Sequence, residues 1–309
     1  MSLPSSLPSS RNTIPTGAFG PDARSVDVPV LDSHIHHVES GSGSPIVFLH
    51  GSPTSSFLYR HVFRLLENRG RLLAPDLIGF GDSGRPDIAY ELADHERYLD
   101  AWFDALDLRD VTLVLQDYGA AFGVSWAARH PERVRAVLLA EPVIRDIESS
   151  ALPEAFVGAQ QLIRTPGDGE KFVVDDNGFM EQVFPGAFLQ PLAPEDLAVY
   201  QAPFPTPESR AHLIRFPRNL PIDGVPASSV AFLARNEEWL RTSAGVPKTL
   251  LTYEPGFLLT PTIEAWIREN VASIEVFAGG AGVHFVQEEQ PQGLADAVVA
   301  LLERAGSVG

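Results

Sequence analysis

Between residues 45 and 145, short apolar runs rich in β-branched residues alternate with stretches whose apolar positions recur at helical spacing. The runs 45–50, 71–75, 111–116 and 134–140 predict strands. Segment 57–68 carries apolar residues at Leu58, Val62, Leu65 and Leu66, and segment 95–106 carries Tyr98, Leu99, Trp102, Phe103 and Leu106; both predict amphipathic helices. Strand and helix in strict alternation predict an α/β architecture, a mostly parallel sheet with helices on its faces. The pattern returns near the C-terminus, with strands at 248–253 and 273–277 and helices at 262–270 and 294–302. Residues 31–144 and 246–309 are therefore read as one core domain.

The text between them differs. Residues 145–245 are richer in Pro and Phe, with a Gly/Asp-rich loop at 165–169 and helical pieces at 194–200 and 226–240. This segment reads as an inserted helical cap over the carboxyl ends of the strands, where open α/β sheets bind ligands. Residues 1–30 read as a loosely held arm, because their Ser- and Pro-rich start has no continuous apolar run for a signal peptide or membrane anchor.

Composition narrows the chemistry. A net charge of −17 repels phosphate backbones and anionic headgroups, so nucleic acid and membranes are unsuited partners and a small uncharged substrate fits better. No cysteine occurs among the 309 residues, which excludes disulfides, thiolate metal sites and thiol nucleophiles. The expectation is a cytoplasmic chain, monomeric or weakly self-associating.

Three segments carry candidate chemistry. In VTLVLQDYGAAFGVSW a strand runs into Asp117 and straight on into a small-residue helix, the outline of a nucleophile elbow, with Gly119 downstream and Leu115 where the first Gly of G-x-S-x-G would stand. Taken alone, Asp117 could instead cap that helix, a role Asp often plays. In IVFLHGSPTSS a strand ends at His50 and a Gly/Ser/Pro loop presents backbone N–H groups; the oxyanion donors of such a fold would be those of Ser52 and Tyr118. His50 itself reads as structural. In VFAGGAGVHFVQEEQP a late strand precedes His284, in the chain order nucleophile, acid, His. The acid is Glu141, directly after its strand, with Glu254 as the fallback.

Two signals are discounted. GFGDSG at 79–84 satisfies G-x-G-x-x-G, but Pro86 follows where a nucleotide-binding helix would start. His34, His36 and His37 look like a metal cluster, yet alternation puts only His34 and His36 on one face, and a surface strand is the simpler reading.

Together LDSHIHHVESGSGSPIVFLHG, PDLIGFGDSGRP, LQDYGAAFG, LLAEPVIR, FPRNLPIDGVP and AGVHFVQEEQP resemble the haloalkane dehalogenases of the α/β-hydrolase superfamily, in the branch with an Asp, His and Glu triad. The resemblance implies Asp117 as nucleophile, Glu141 as acid and His284 as base. It implies a cofactor-free hydrolase, with no metal, that cleaves carbon–halogen bonds of aliphatic substrates through an alkyl ester on Asp117. It also exposes a departure. The family stabilises the halide with a Trp after the nucleophile and, in this branch, an Asn after the HG; this chain has Tyr118 and Ser52 there. Both keep an O–H donor, at a different reach from an indole or amide N–H. Losing one well-aimed donor costs about 3 kcal/mol of barrier. An epoxide hydrolase is the nearest rival, with Tyr200 as the single cap hydroxyl to protonate an opening oxygen. A cofactor-free oxygenase and a binding protein without turnover are further alternatives, and Asp at 117 disfavours an esterase.

Overall fold

A computed structural model describes residues 13–306. Eight strands form one sheet: β1 (Arg24–Val30), β2 (Ser33–Gly41), β3 (Pro45–Leu49), β4 (Arg71–Pro75), β5 (Val111–Asp117), β6 (Val134–Pro142), β7 (Lys248–Pro255) and β8 (Ile274–Gly282). Their spatial order is β1-β2-β4-β3-β5-β6-β7-β8. The β1–β2 and β2–β4 pairs are antiparallel, and every later pair is parallel. All seven residues of β5 are buried, as are the last seven of β6. That explains why these strands read as continuous apolar runs, since a parallel sheet is covered on both faces.

Two helix groups supply the cover. Leu92–Ala105 packs on Tyr118–Arg129, which lies on β5 and β6; Pro291–Gly306 lies on β6 and β7 and touches Arg60–Leu65. The chain leaves β3 toward β4 and returns on its other side as β5. The carboxyl ends of β3 and β5 thus flank a topological switch point, the place where open α/β sheets form a crevice.

The structure corrects several expectations. The arm does not extend to residue 30. Thr13 and Ile14 donate backbone N–H groups to the Asp82 carboxylate, Phe19 packs edge-on against Phe63 at 5.2 Å, and β1 is the sheet's edge strand. Residues 1–12 of that expectation lie outside the described residues. The His34–His37 stretch is a strand but not a surface one, because β2 is flanked by β1 and β4, and His36 and His37 are buried. The alternation holds. His34 Nε2 bonds the Asp82 carbonyl and His36 Nδ1 the Asp76 carboxylate at 2.8 Å, while His37 accepts from Trp102 Nε1.

Asp76 also explains the GFGDSG match. Its carboxylate takes the backbone N–H of Ser56 and of Asp82, and a Cβ on Gly81, at φ 50°, would come within 2.3 Å of it. The glycine therefore serves a tight structural turn. Segment 57–68 is shorter than expected, a 3₁₀ turn at Ser56–Tyr59 followed by the helix Arg60–Leu65.

Between β6 and β7 the described chain makes helices and turns. Two of them, Lys171–Asp175 and Phe179–Val183, are wound as π-helices, and the supposed loop at 165–169 already starts the short helix Asp168–Glu170. The last helix, Ala227–Thr242, was grouped with the cap by its sequence but packs on Tyr118–Arg129. Asn236 Nδ2 donates to the Ala121 carbonyl at 2.8 Å and Phe232 meets Phe122 edge-on.

Candidate active site

Asp117 ends β5 with φ 50°, and the helix Tyr118–Arg129 begins at the next residue. A non-glycine residue in that region stores about 1–3 kcal/mol of strain, tolerated where the surroundings over-determine it. Here the surroundings are close. A Cβ on Gly119 would sit 2.2 Å from the Leu49 carbonyl, and one on Gly51 would sit 2.0 Å from Asp117 Oδ2. Both glycines are thus required by the approach of the β3 and β5 ends. Leu115, in place of a first elbow glycine, is accommodated by Gly123, whose Cβ would come within 2.4 Å of its side chain. The helix-cap alternative fails, because the Asp117 side chain makes no capping hydrogen bond.

Asp117 is 4% exposed. Its Oδ2 accepts the Ser52 backbone N–H at 3.0 Å and lies 3.9 Å from His284 Nε2. On the far side of the ring, His284 Nδ1 is 3.4 Å from Glu141 Oε2. Glu141 is fully buried at φ 46°, and the same oxygen accepts N–H groups from Phe257 and Leu258 at 3.1 and 2.7 Å. The fallback acid, Glu254, is exposed at the end of β7. Burial disfavours a charge on His284, but the carboxylates of Asp117 and Glu141 outweigh it and raise its pKa to about 9.

His50 is structural, as expected. Its Nδ1 donates to the Gly51 carbonyl at 2.7 Å and its Nε2 accepts the Leu77 N–H at 2.9 Å, which pins the loop to the turn after β4; burial keeps the ring's pKa low. The two hydroxyls expected at the pocket part company. Ser52 Oγ is buried without a hydrogen-bond partner among the described residues. Tyr118 O–H instead donates to the Phe216 carbonyl at 2.8 Å, so its hydroxyl is committed to another residue of the cavity lining. Burial, reinforced by the charge of Asp117, holds that phenol well above its usual pKa, so it stays a neutral donor.

Sequence reasoning missed Gln116. Its amide nitrogen lies 3.2 Å from both His284 Nε2 and the His284 carbonyl, bracing the ring from β5. A buried amide inside the run VTLVLQD was the available signal.

Above these groups is a cavity of about 490 Å³. Ser52, Asp117, Tyr118 and His284 form its floor, and Phe156, Phe172, Phe179, Phe184, Phe216 and Phe257 dominate its walls. Tyr200 is not in the wall; it is buried beside Phe57 and Phe184, and its hydroxyl donates to Glu288. A carboxylate under an apolar cavity, with an imidazole beside it, can attack a carbon electrophile and then have the resulting ester hydrolysed.

A family model for the alpha/beta hydrolase fold matches residues 44–226. A haloalkane dehalogenase of Agrobacterium fabrum C58 is 58% identical over 290 residues, 94% of this chain and 95% of that protein. One from Mesorhizobium japonicum is 42% identical over 89% of this chain and 90% of that protein. A crystal structure of a haloalkane dehalogenase from Agrobacterium tumefaciens C58 superposes with a TM-score of 0.92 at 58% identity, covering 94% of this chain and all of that one. With its fold and its full-length relatives in agreement, the chain belongs to the haloalkane dehalogenase family of α/β hydrolases.

Proposed function

We propose that this enzyme hydrolyses the carbon–halogen bond of aliphatic substrates, with Asp117 as nucleophile, His284 as base and Glu141 as its orienting acid. The observation that carries the reading is the placement of one buried carboxylate, Asp117, between the Ser52 N–H and His284 on the floor of an aromatic cavity.

Asp117 Oδ2 is engaged by Ser52 N–H, so the other oxygen, Oδ1, attacks the carbon from the side opposite the halogen. The C–O bond forms as the C–X bond breaks, and the electron pair leaves with the halide. Oδ2 becomes the ester carbonyl oxygen, still on the Ser52 N–H. Loss of the Asp117 charge removes one of the two interactions that hold the proton on His284, and the ring releases it to solvent. The neutral imidazole then takes a proton from water, the hydroxide attacks the ester carbon, and the N–H groups of Ser52 and Tyr118 hold the oxyanion. Glu141 stabilises the imidazolium. Products are alcohol, halide and a proton. Ser52 Oγ is the hydroxyl free to meet the departing halide, whereas Tyr118 must first give up Phe216.

The test is halide release from brominated and chlorinated alkanes, run beside terminal and styrene-type epoxides and against Asp117→Ala. Halide release above that variant supports the reading. Diol formation from epoxides with no halide release would transfer it to epoxide opening, which the absence of Tyr200 from the cavity wall disfavours.

A further inference from the structure

One polar group in the roof of the cavity has no task in the scheme above. Gln160 lies on the cap helix Glu154–Arg164, is 4% exposed, lines the cavity, and has an Oε1 without a hydrogen-bond partner among the described residues. Its position follows from its neighbours on the helix. One turn earlier Phe156 meets Phe257 at 4.7 Å, and Phe257 in turn meets His284 at 5.7 Å. One turn later Arg164 donates to the carbonyl of Leu220, another wall residue. Residues four apart share a helix face, so Gln160 hangs between these two anchors, over the site and not beside it.

A buried amide oxygen left unpaired costs more than an apolar side chain of the same shape would. Gln182 apart, the rest of the roof is apolar and aromatic. The other amide of the wall, Gln182, is exposed and can be served by water. Among the described residues no group bonds the Gln160 Oε1, and a ligand in the cavity would supply the donor it lacks. We propose that Gln160 is a specificity-determining residue that selects aliphatic halides bearing a hydroxyl group away from the carbon–halogen bond, the hydroxyl donating to Oε1. The inference rests on the dehalogenase reading for its substrate but on the cavity alone for its preference. A volume of about 490 Å³ leaves room for a chain that spans from Asp117 to the roof.

The experiment compares matched pairs of 1-bromoalkanes and ω-bromoalkanols of increasing length with the wild-type enzyme and Gln160→Leu. At the length that bridges the cavity, wild type is expected to favour the bromoalkanol in kcat/KM by about tenfold, the worth of one such hydrogen bond. Gln160→Leu is expected to lose that preference and to gain on the plain bromoalkane. Calorimetric binding of the matching diols and simple alcohols needs no turnover, and the same preference should appear there in wild type alone. The thermal midpoint of Gln160→Leu is expected to equal or exceed that of wild type, since an unpaired group has been removed. An unchanged preference in Gln160→Leu would overturn the proposal. So would an equal loss on both members of each pair, or a fall in midpoint, either of which would make Gln160 a leaving-group or structural contact. If no halide is released by either protein while wild type still prefers the diols, the dehalogenase reading fails and the assignment of Gln160 stands.

Discussion

The floor and the roof of the cavity are built on different principles. On the floor, the three residues of the proposed triad are held by groups at the carboxyl ends of the strands: Asp117 by the Ser52 N–H, Glu141 by two N–H groups of the loop after β7, and His284 by Glu141 and Gln116. Two residues sit at positive φ, and close approaches at Gly51 and Gly119 leave no room to relax. The roof is made of aromatic rings on short helices, two of them π-wound, a form that often marks functional sites. Chemistry needs atoms fixed to within fractions of an ångström, and the core supplies that through backbone hydrogen bonds. Shape selection needs surface, and the cap supplies it.

If the division is right, substitutions on the floor should cost far more than those on the roof. Asp117→Ala is expected to reduce halide release at least a thousandfold, to background, because no other group in the cavity floor can form the ester. Glu141→Gln should follow, with a loss of roughly a hundredfold or more in kcat from a mis-oriented imidazole. Ser52→Ala should cost about tenfold to a hundredfold if its free hydroxyl meets the halide. Tyr118→Phe should change kcat least, because its hydroxyl is committed to Phe216; a loss as large as that of Ser52→Ala would mean that the hydroxyl turns to the halide during turnover.

The coupling of the floor groups has a pH signature. The pKa of His284 in the fold, about 9, lies above its ordinary value of 6.5. The stabilisation from its charge is therefore complete below about 6.5 and lost as pH rises through about 9. The wild-type thermal midpoint should fall across that window, and less so in Asp117→Asn, where NMR titration should place the His284 pKa lower. An unshifted His284 pKa in that variant would show that Asp117 does not hold the proton.

The same contrast governs what could be read in the sequence. The inner strands were legible because burial on both faces leaves continuous apolar runs, the Asp117 and Glu141 positions because each follows such a run directly, and His284 because it comes after a late strand and a glycine-rich turn in the chain order nucleophile, acid, His. The commitment of Tyr118 to Phe216 was not legible, for it joins residues 98 apart through cap packing. Gln116 and Gln160 were hidden for a related reason: a polar residue's direction depends on what packs against it. The burial of β2 is not legible because its histidines read as polar, whereas Asp76 just after β4 and Trp102 on the helix packed against the sheet give them buried partners. The edge strand β1 is hard to read as a strand because RSVDVPV carries charges at Arg24 and Asp27 and a proline at Pro29, features an edge tolerates.

The most direct test of the central claim is intact-mass spectrometry of His284→Phe after exposure to a bromoalkane that the wild type turns over. The expected result is one alkyl group added per chain, mapped to Asp117 and absent from Asp117→Ala, with one equivalent of bromide released and then no more. Sustained bromide release without an adduct would contradict the covalent route and the roles assigned to both residues.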